Sequence, residues 1–308
     1  MPKKEYNMAN RKYEALIIVS ETGSITQAAD RMGYTQSGIT QMINSMEKEL
    51  DVKLLTRTNK GAHLTTAGKK LLPYMKEENL WERYIRQECD RMHGLESGLV
   101  TVGCLSSISA AWMPTILEAF SREHPGIRVN MVEGESPELD SMLMDGRIDL
   151  ALADIHEKKS YVSRPLVQDE ILAIMPNDPE LAGRSSITLD ELMKYPYISY
   201  ATGSSENLNL GWLDRSLPNR FKPTVMYTSK SDFTAIQMVS HHLGVSLAGR
   251  LMIESYPLST TNLSLDPPMY RQLGIAYKSH THILPAARSF MECAENVIRS
   301  MQDEEVSL

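Results

Sequence analysis

The chain has little cysteine, no long apolar run and no overall positive charge, and each shortage excludes a class of protein. Its three cysteines, Cys89, Cys104 and Cys293, are widely spaced, with no pair at metal-ligand spacing. That argues against a disulfide scaffold or a zinc module and fits reduced thiols in a cytoplasmic protein. The longest apolar stretches, Leu16 to Val19 and Ile148 to Ala153 (broken by Asp149), fall well short of the roughly 20 residues that cross a bilayer. No apolar segment follows the lysines at positions 3 and 4, so the secretory pattern is missing. Also missing are a P-loop, a G-x-G-x-x-G after a strand, H-E-x-x-H and G-x-S-x-G. The expectation is a cytoplasmic chain that is not an enzyme, carries no cofactor or metal and has no membrane partner.

A length of 308 residues exceeds one small core and predicts about two to three domains. The net charge of −7, taken alone, opposes a nucleic-acid partner. Its distribution says otherwise. Residues 1–70 hold 11 Lys and Arg against 7 Asp and Glu, while the remainder holds 21 against 32. An acidic body with a basic head is the asymmetry expected when one domain meets phosphate.

Within that head, residues 10–20 predict a helix with Tyr13, Leu16, Ile17 and Ser20 on one face. Gly23 ends it, and Ser24-x-x-Gln27 fits a capping box opening a second helix through Ala28-Ala29 to Met32. Gly33 supplies a left-handed turn, and Thr35 caps a third helix from Gln36 to about Leu50, with Ile39, Met42, Ile43, Met46 and Leu50 as its buried stripe. Short helix, glycine turn and longer helix make a helix-turn-helix over about 25–44. The opposite face of the third helix carries Gln36, Ser37, Thr40, Gln41 and Asn44, amides and hydroxyls suited to base edges, Gln and Asn above all to adenine. A structural helix facing water would carry lysine and glutamate there, as Glu47-Lys48-Glu49 does further on. Two strand-like runs around Asn59-Lys60-Gly61 then read as a hairpin with Arg57 and Lys60 at or near its tip, a basic wing for phosphates or a narrow minor groove. His63 has no second ligand nearby and reads as a wing or solvated residue.

Ala28-Ala29-Asp30-Arg31-Met32-Gly33-Tyr34-Thr35-Gln36-Ser37, with Ile39-Thr40, Glu47-Lys48-Glu49-Leu50, Leu54-Leu55-Thr56-Arg57 and Leu64-Thr65-Thr66-Ala67-Gly68, resembles the N-terminal domain of LysR-type transcriptional regulators. The likeness runs without a gap from about Met8 to Gly68. It implies that Gln36, Ser37, Thr40 and Gln41 meet the major groove while Arg57 and Lys60 serve the wing; Thr35 and Asn44, beside them at the third helix, complete the expected DNA-binding set. Ser37-Gly38 departs from the Pro-Ala common in the family, and Gly38 costs up to about 1 kcal/mol of helix propensity. Residues 1–7 read as an extension ahead of the family's start.

After the winged helix-turn-helix DNA-binding domain (8–65), a linker helix over 66–93 is predicted, with Leu71, Leu72, Met75, Trp81, Ile85, Cys89 and Met92 as an apolar stripe. That stripe calls for a partner; a second copy of the helix is the simplest, and the alternative is packing within its own chain. The resemblance implies the dimer, with a tetramer as the expected assembly.

From residue 94 to 308 the pattern alternates strand and helix: strands at 99–103, 127–132, 148–153, 170–175, 197–200, 224–227, 244–248 and 271–277, and helices at 109–124, 137–144, 189–193, after Ser205, from Asp232 and at 285–301. This predicts a parallel, doubly wound α/β sheet. Gly146 to Ala153 and His242 to Leu247 resemble the family's two-lobed effector domain, similar to periplasmic solute-binding proteins. Lobe I is expected at about 98–166 and 269–303, lobe II at about 167–268. Ligands in such folds sit where strand C-terminal ends meet helix N-termini. Here that sets Ser106 and Ser107 opposite Thr202, Gly203, Ser204 and Ser205, a hydroxyl-lined site suited to an organic anion unless the serines only cap helices. Asp232 reads as another cap, and His241-His242 as solvated or packing residues rather than a metal site. Cys104 beside the pocket has no resolving cysteine in view.

The expected function is an effector-responsive regulator on an A·T-rich inverted repeat in double-stranded promoter DNA, meeting RNA polymerase if it activates. An α/β enzyme with an accessory head finds no catalytic motif to support it. A solute-binding protein is opposed by the DNA-reading head.

Overall fold

The structure is a computed structural model describing residues 8–58, 61–93, 97–155, 161–181, 183–200, 221–256, 258–278 and 283–306. The chain forms two compact units, Met1–Leu95 and Glu96–Leu308.

In the first unit, α1 (Met8–Thr22), α2 (Ile25–Met32) and α3 (Gln36–Leu50) precede a hairpin of β1 (Leu55–Thr58) and β2 (Gly61–Leu64), and α4 (Thr66–Met92) follows. The buried face of α1 is Lys12, Ala15, Leu16 and Val19, so the expected face is rotated by about one residue: Tyr13 and Ile17 are half-buried. Lys12 belongs to it because its stem is buried while its ammonium reaches Glu49 Oε1 at 2.5 Å and Ser45 Oγ at 3.2 Å on α3. Ser24 Oγ accepts from Gln27 N–H at 3.3 Å as expected. The other half of the capping box is replaced, since Thr22 Oγ1 takes the Ser24 N–H at 3.2 Å. Gly33, at φ 69°, makes the turn into α3.

The α3 stripe differs at its end. Leu50 is exposed and Glu47 is buried, because the Glu47 carboxylate folds inward to accept the backbone N–H groups of Leu54 (2.8 Å) and Leu55 (3.1 Å) and the Lys53 ammonium (2.6 Å). It thereby ties the recognition helix to the start of the wing. Burial alone raises its pKa. The Lys53 and backbone hydrogen bonds outweigh burial and hold the carboxyl below its ordinary value.

The 27-residue α4 is capped by Thr65, whose Oγ1 accepts from Gly68 N–H at 3.0 Å. Its apolar stripe divides in two. Met75 is buried and Leu71 packs on the core formed by α1 to α3, whereas Trp81, Ile85, Cys89 and Met92 are exposed. Tyr74, absent from the expected stripe, is exposed as well.

In the second unit, β3 (Gly98–Cys104), β4 (Ile127–Glu133) and β5 (Leu150–Asp154) are parallel, with α5 (Ser106–Ala111), α6 (Met113–Glu123) and α7 (Ser136–Met144) between them. The single helix expected over 109–124 is two, broken at Trp112. The expected strands at 170–175 and 271–277 are the ends of longer ones. β6 (Val162–Pro176) and the last strand of the chain, Thr260–Tyr277, pair antiparallel along most of their length and link the lobes. The sheet is therefore mixed rather than all parallel, because two strands crossing between lobes in opposite directions lie side by side.

Beyond β6 come β7 (Ser186–Thr188), α8 (Leu189–Leu192), β8 (Tyr197–Tyr200), β9 (Val225–Ser229), α9 (Asp232–Ser240), β10 (Ser246–Gly249) and α10 (Arg250–Glu254), then β11, the Thr260–Tyr277 strand just named. The helix expected after Ser205 lies outside the described residues. Apolar clusters cover this lobe's sheet, one around Leu189, Tyr197, Phe221 and Leu247, another around Ile198, Ile236, Val239 and Met252. The terminal helix α11 (Pro285–Val306) returns to the first lobe, where Phe290 meets Phe120 edge-on at 5.1 Å.

Candidate nucleic-acid interface and effector cleft

The DNA-side residues stand where helix geometry puts them. Thr35 Oγ1 accepts from Gly38 N–H at 3.1 Å and lies 3.0 Å from Ser37 Oγ, fixing the first turn of α3. Gln36, Ser37, Gln41 and Asn44 are exposed and Thr40 is half-buried beside them. A methyl group at Gly38 would sit 3.3 Å from the Thr35 capping oxygen, so the family's usual alanine would crowd the cap. Arg57 is on β1, opposite Ala62 and one pair from the Thr58–Gly61 end of the hairpin. It reaches back to Asn44 Oδ1 at 3.4 Å, so wing and reading face are neighbours. His63 is exposed. Lys60, the other wing cation expected, lies outside the described residues.

Parallel pairing of β3 and β4 sets Cys104 opposite Glu133 and brings the starts of α5 and α7 to one edge of the first lobe. There Ser106 Oγ donates to Asp232 Oδ2 at 2.9 Å, with Oδ1 at 3.2 Å, a hydrogen bond between lobes. Asp232 is not the cap of α9; Ser231 is, accepting from Thr234 N–H at 3.3 Å. Ser107 is buried and accepts from Arg271 Nη2 at 3.1 Å. Thr202, Gly203, Ser204 and Ser205, expected on the facing wall, lie outside the described residues.

Sequence reading missed two features of this region. One is a buried ion pair on the crossing strands: Asp169 and Arg271 are direct cross-strand partners, 2.7 Å apart. Asp169 Oδ1 also accepts from Leu251 N–H at 2.9 Å, so the pair is tied to α5 through Ser107 and to α10 through Leu251. Gly249 is needed beside it, because a Cβ there would fall on Asp169 Oδ2 and the Arg271 guanidinium. The other is Glu135, whose carboxyl is pushed up to about 7, first by burial, then by Asp232, with Glu138 adding to the rise and Arg271 opposing it. Neither had a sequence signal, since the partners lie far apart along the chain.

Cys104 is buried, and desolvation with the nearby Glu133 pushes its thiol up to about 12, away from reactivity. The three cysteines are free. His241 and His242 are exposed, and no cluster able to hold a metal occurs among the described residues. A separate cavity of about 470 Å³ is lined by Trp112, Asp169, Arg250, Tyr270 and Ile298, where β6, β11, α10 and α11 meet.

Two family models match the chain: the bacterial regulatory helix-turn-helix protein of the lysR family over residues 11–69, and the LysR substrate binding domain over residues 93–299. The chain belongs to the LysR family. A LysR-family protein is a DNA-binding transcriptional regulator with an effector-binding domain, not an enzyme. Similar chains include the uncharacterized HTH-type transcriptional regulator YvbU of Bacillus subtilis, 28% identical over 94% of this chain and 99% of that one. The HTH-type transcriptional regulator CysB of Haemophilus influenzae is 25% identical over 89% and 86%. A full-length OxyR variant from Pseudomonas aeruginosa shares the fold at TM-score 0.72, with 19% identity and 96% of each chain covered. No helix among the described residues is long and apolar enough to cross a membrane.

Proposed function

We propose that this LysR-family regulator reads an A·T-rich inverted repeat in promoter DNA through Gln36, Ser37, Thr40, Gln41 and Asn44, with Thr35 holding the first turn. The observation that carries this is the exposed amide and hydroxyl face of α3 with Arg57 beside it. Amides discriminate bases but supply little attraction, so affinity comes from Arg57, Lys60 and the other basic residues of the head through phosphate contacts.

The protein acts inside the cell as a homodimer through residues 66–93, with a tetramer as the assembled form. Tyr74, Trp81, Ile85 and Met92 are exposed on α4 at spacings of seven, four and seven residues. That is the repeat of a helix-to-helix seam, and it supports pairing with a second α4. A small effector enters between lobe I (about 98–166 and 269–303) and lobe II (about 167–268), near Ser106 and Ser107, with Thr202 to Ser205 on the facing side. It shifts the balance between lobe arrangements, and the dimer transmits this as half-site spacing or DNA bend. RNA polymerase is a partner where the outcome is activation.

Footprinting on the promoter region of a neighbouring operon tests the reading. An A·T-rich repeat protected by the wild type, and lost when Gln36 and Gln41 are both alanine, is expected. Failure to protect any duplex would sink it.

A further inference from the structure

Resting on the cleft reading above, we infer that Asp232 is a tethered occupant of the effector cleft: its carboxylate holds the Ser106 hydroxyl across the gap, clasps the two lobes together, and gives way to an acceptor carried by the effector. Geometry carries this. Ser106 Oγ lies 2.9 Å from Asp232 Oδ2 and 3.2 Å from Oδ1. A serine hydroxyl has one proton to donate, so the Asp232 carboxylate and an effector compete for it. Capping does not call on Asp232, because Ser231 already caps α9 through the Thr234 N–H. The neighbouring serine joins the clasp to the hinge. Ser107 Oγ accepts from Arg271 Nη2 at 3.1 Å, and Arg271 pairs with Asp169 on the facing strand. Asp169 Oδ1 in turn receives the Leu251 N–H of α10 at 2.9 Å. Two adjacent residues at the start of α5 are therefore bonded in different directions, one to the crossing strands and one to the second lobe. The bonds at the hinge are buried, whereas Ser106 and Asp232 are half-buried, and theirs is the contact that a small ligand can exchange.

That exchange sets a requirement on the effector. It offers Ser106 a carbonyl, carboxylate or other oxygen acceptor in place of Asp232, since a donor left without one is costly. Ser136 Oγ lies in the first turn of α7, which the parallel β3–β4 pair brings to the same edge as α5. It is buried at 4% exposure and has no hydrogen-bond partner among the described residues. A second polar atom on the ligand satisfies it. Binding and the clasp exclude each other, so the effector shifts the lobe arrangement by as much as it favours the unclasped form. Breaking the clasp by mutation acts in the same direction as binding.

The test is amide hydrogen exchange of the full chain, with each substitution read in the opposite lobe. The reporters are the Ser109 N–H, bonded to Leu105 O in α5, and the Ala235 N–H, bonded to Ser231 O in α9, with the amides of α1 as an internal reference. Asp232→Ala is expected to speed exchange in α5 by about five-fold or more, and Ser106→Ala to do the same in α9, a coupling of the size usual between linked sites. The double variant should exchange no faster than the faster single one. Ser106→Thr, which keeps the hydroxyl, should match the wild type, and Asp232→Asn, a weaker acceptor of the same shape, should fall between. Effects confined to the substituted lobe, or adding up in the double variant, overturn the proposal whether or not the cleft binds an effector. Footprinting of the same variants separates the two readings. Both alanine variants are expected to change the protected region in the same way, with Ser106→Thr unchanged. Faster exchange across the lobes with an unaltered footprint would overturn the relay from cleft to DNA, and with it the regulatory role of the clasp.

Discussion

Two carboxylates respond to pH in opposite directions. Glu47, held below its ordinary value, is ionised more readily in the folded chain than in the unfolded one. Its contribution is therefore full above the ordinary carboxyl range and lost as pH falls through the lowered folded value. Glu47→Gln should cost about 1–3 kcal/mol at pH 7, because a charged acceptor of two backbone N–H groups and an ammonium becomes neutral. Denaturant titration at pH 7 and pH 3.5 checks this, and the wild-type advantage should shrink at the lower pH. Glu135 runs the other way. Raised to about 7 in the fold from an ordinary 4.5, it favours the folded chain fully below the ordinary value, and that advantage disappears as pH rises toward 7. Glu135→Gln should flatten the dependence of melting temperature on pH between 5 and 8. A variant that follows the wild-type curve would contradict the assignment. His242 stands at φ 59°, a left-handed position costly for a side chain with a Cβ. His242→Gly is expected to raise stability by about 0.5–1 kcal/mol in denaturant titration.

At the scale of elements, capping chemistry and apolar period were readable in advance: Ser24, Gly33 and Thr35 bound their helices where the sequence put them. What escaped were contacts over long sequence separations. Lys12 with Glu49, Ser106 with Asp232, and Arg271 with Asp169 depend on packing that no local pattern encodes. Glu47 was misread for the same reason, as a charge within a polar run whose partners come from the next element. The crossing strands were seen only where they are apolar; their polar portions, such as Arg164 to Asp169, gave no strand signal. The buried Asp169–Arg271 pair invites a sharp test. Removing one partner leaves a buried charge, so Arg271→Ala should cost about 3–5 kcal/mol. Gly249→Ala should also destabilise the domain by forcing the pair apart. If both variants melt with the wild type, the pair holds nothing together. On α4, replacing Trp81 and Ile85 together by glutamate should leave the chain folded and shift sedimentation toward a smaller assembly than the wild type forms.

For the whole molecule, the division of charge matches a division of labour. The basic head meets DNA, and the acidic remainder holds the effector domain. The reading face is uncharged, so sequence preference and overall affinity should separate under mutation. Gln36→Ala or Thr40→Ala is expected to relax preference at one position per half-site by about 1–3 kcal/mol, and Arg57→Ala to weaken all sites alike and flatten the salt dependence. The measurement that tests the account most directly is fluorescence anisotropy of the full chain on the protected duplex and on a scrambled duplex, across a salt series. The account predicts that Gln36→Ala narrows the gap between the two duplexes while the salt slope stays, and that Arg57→Ala lowers both affinities and the slope while the gap stays. Equal binding of both duplexes by the wild type, or an Arg57→Ala effect confined to one base position, would contradict it.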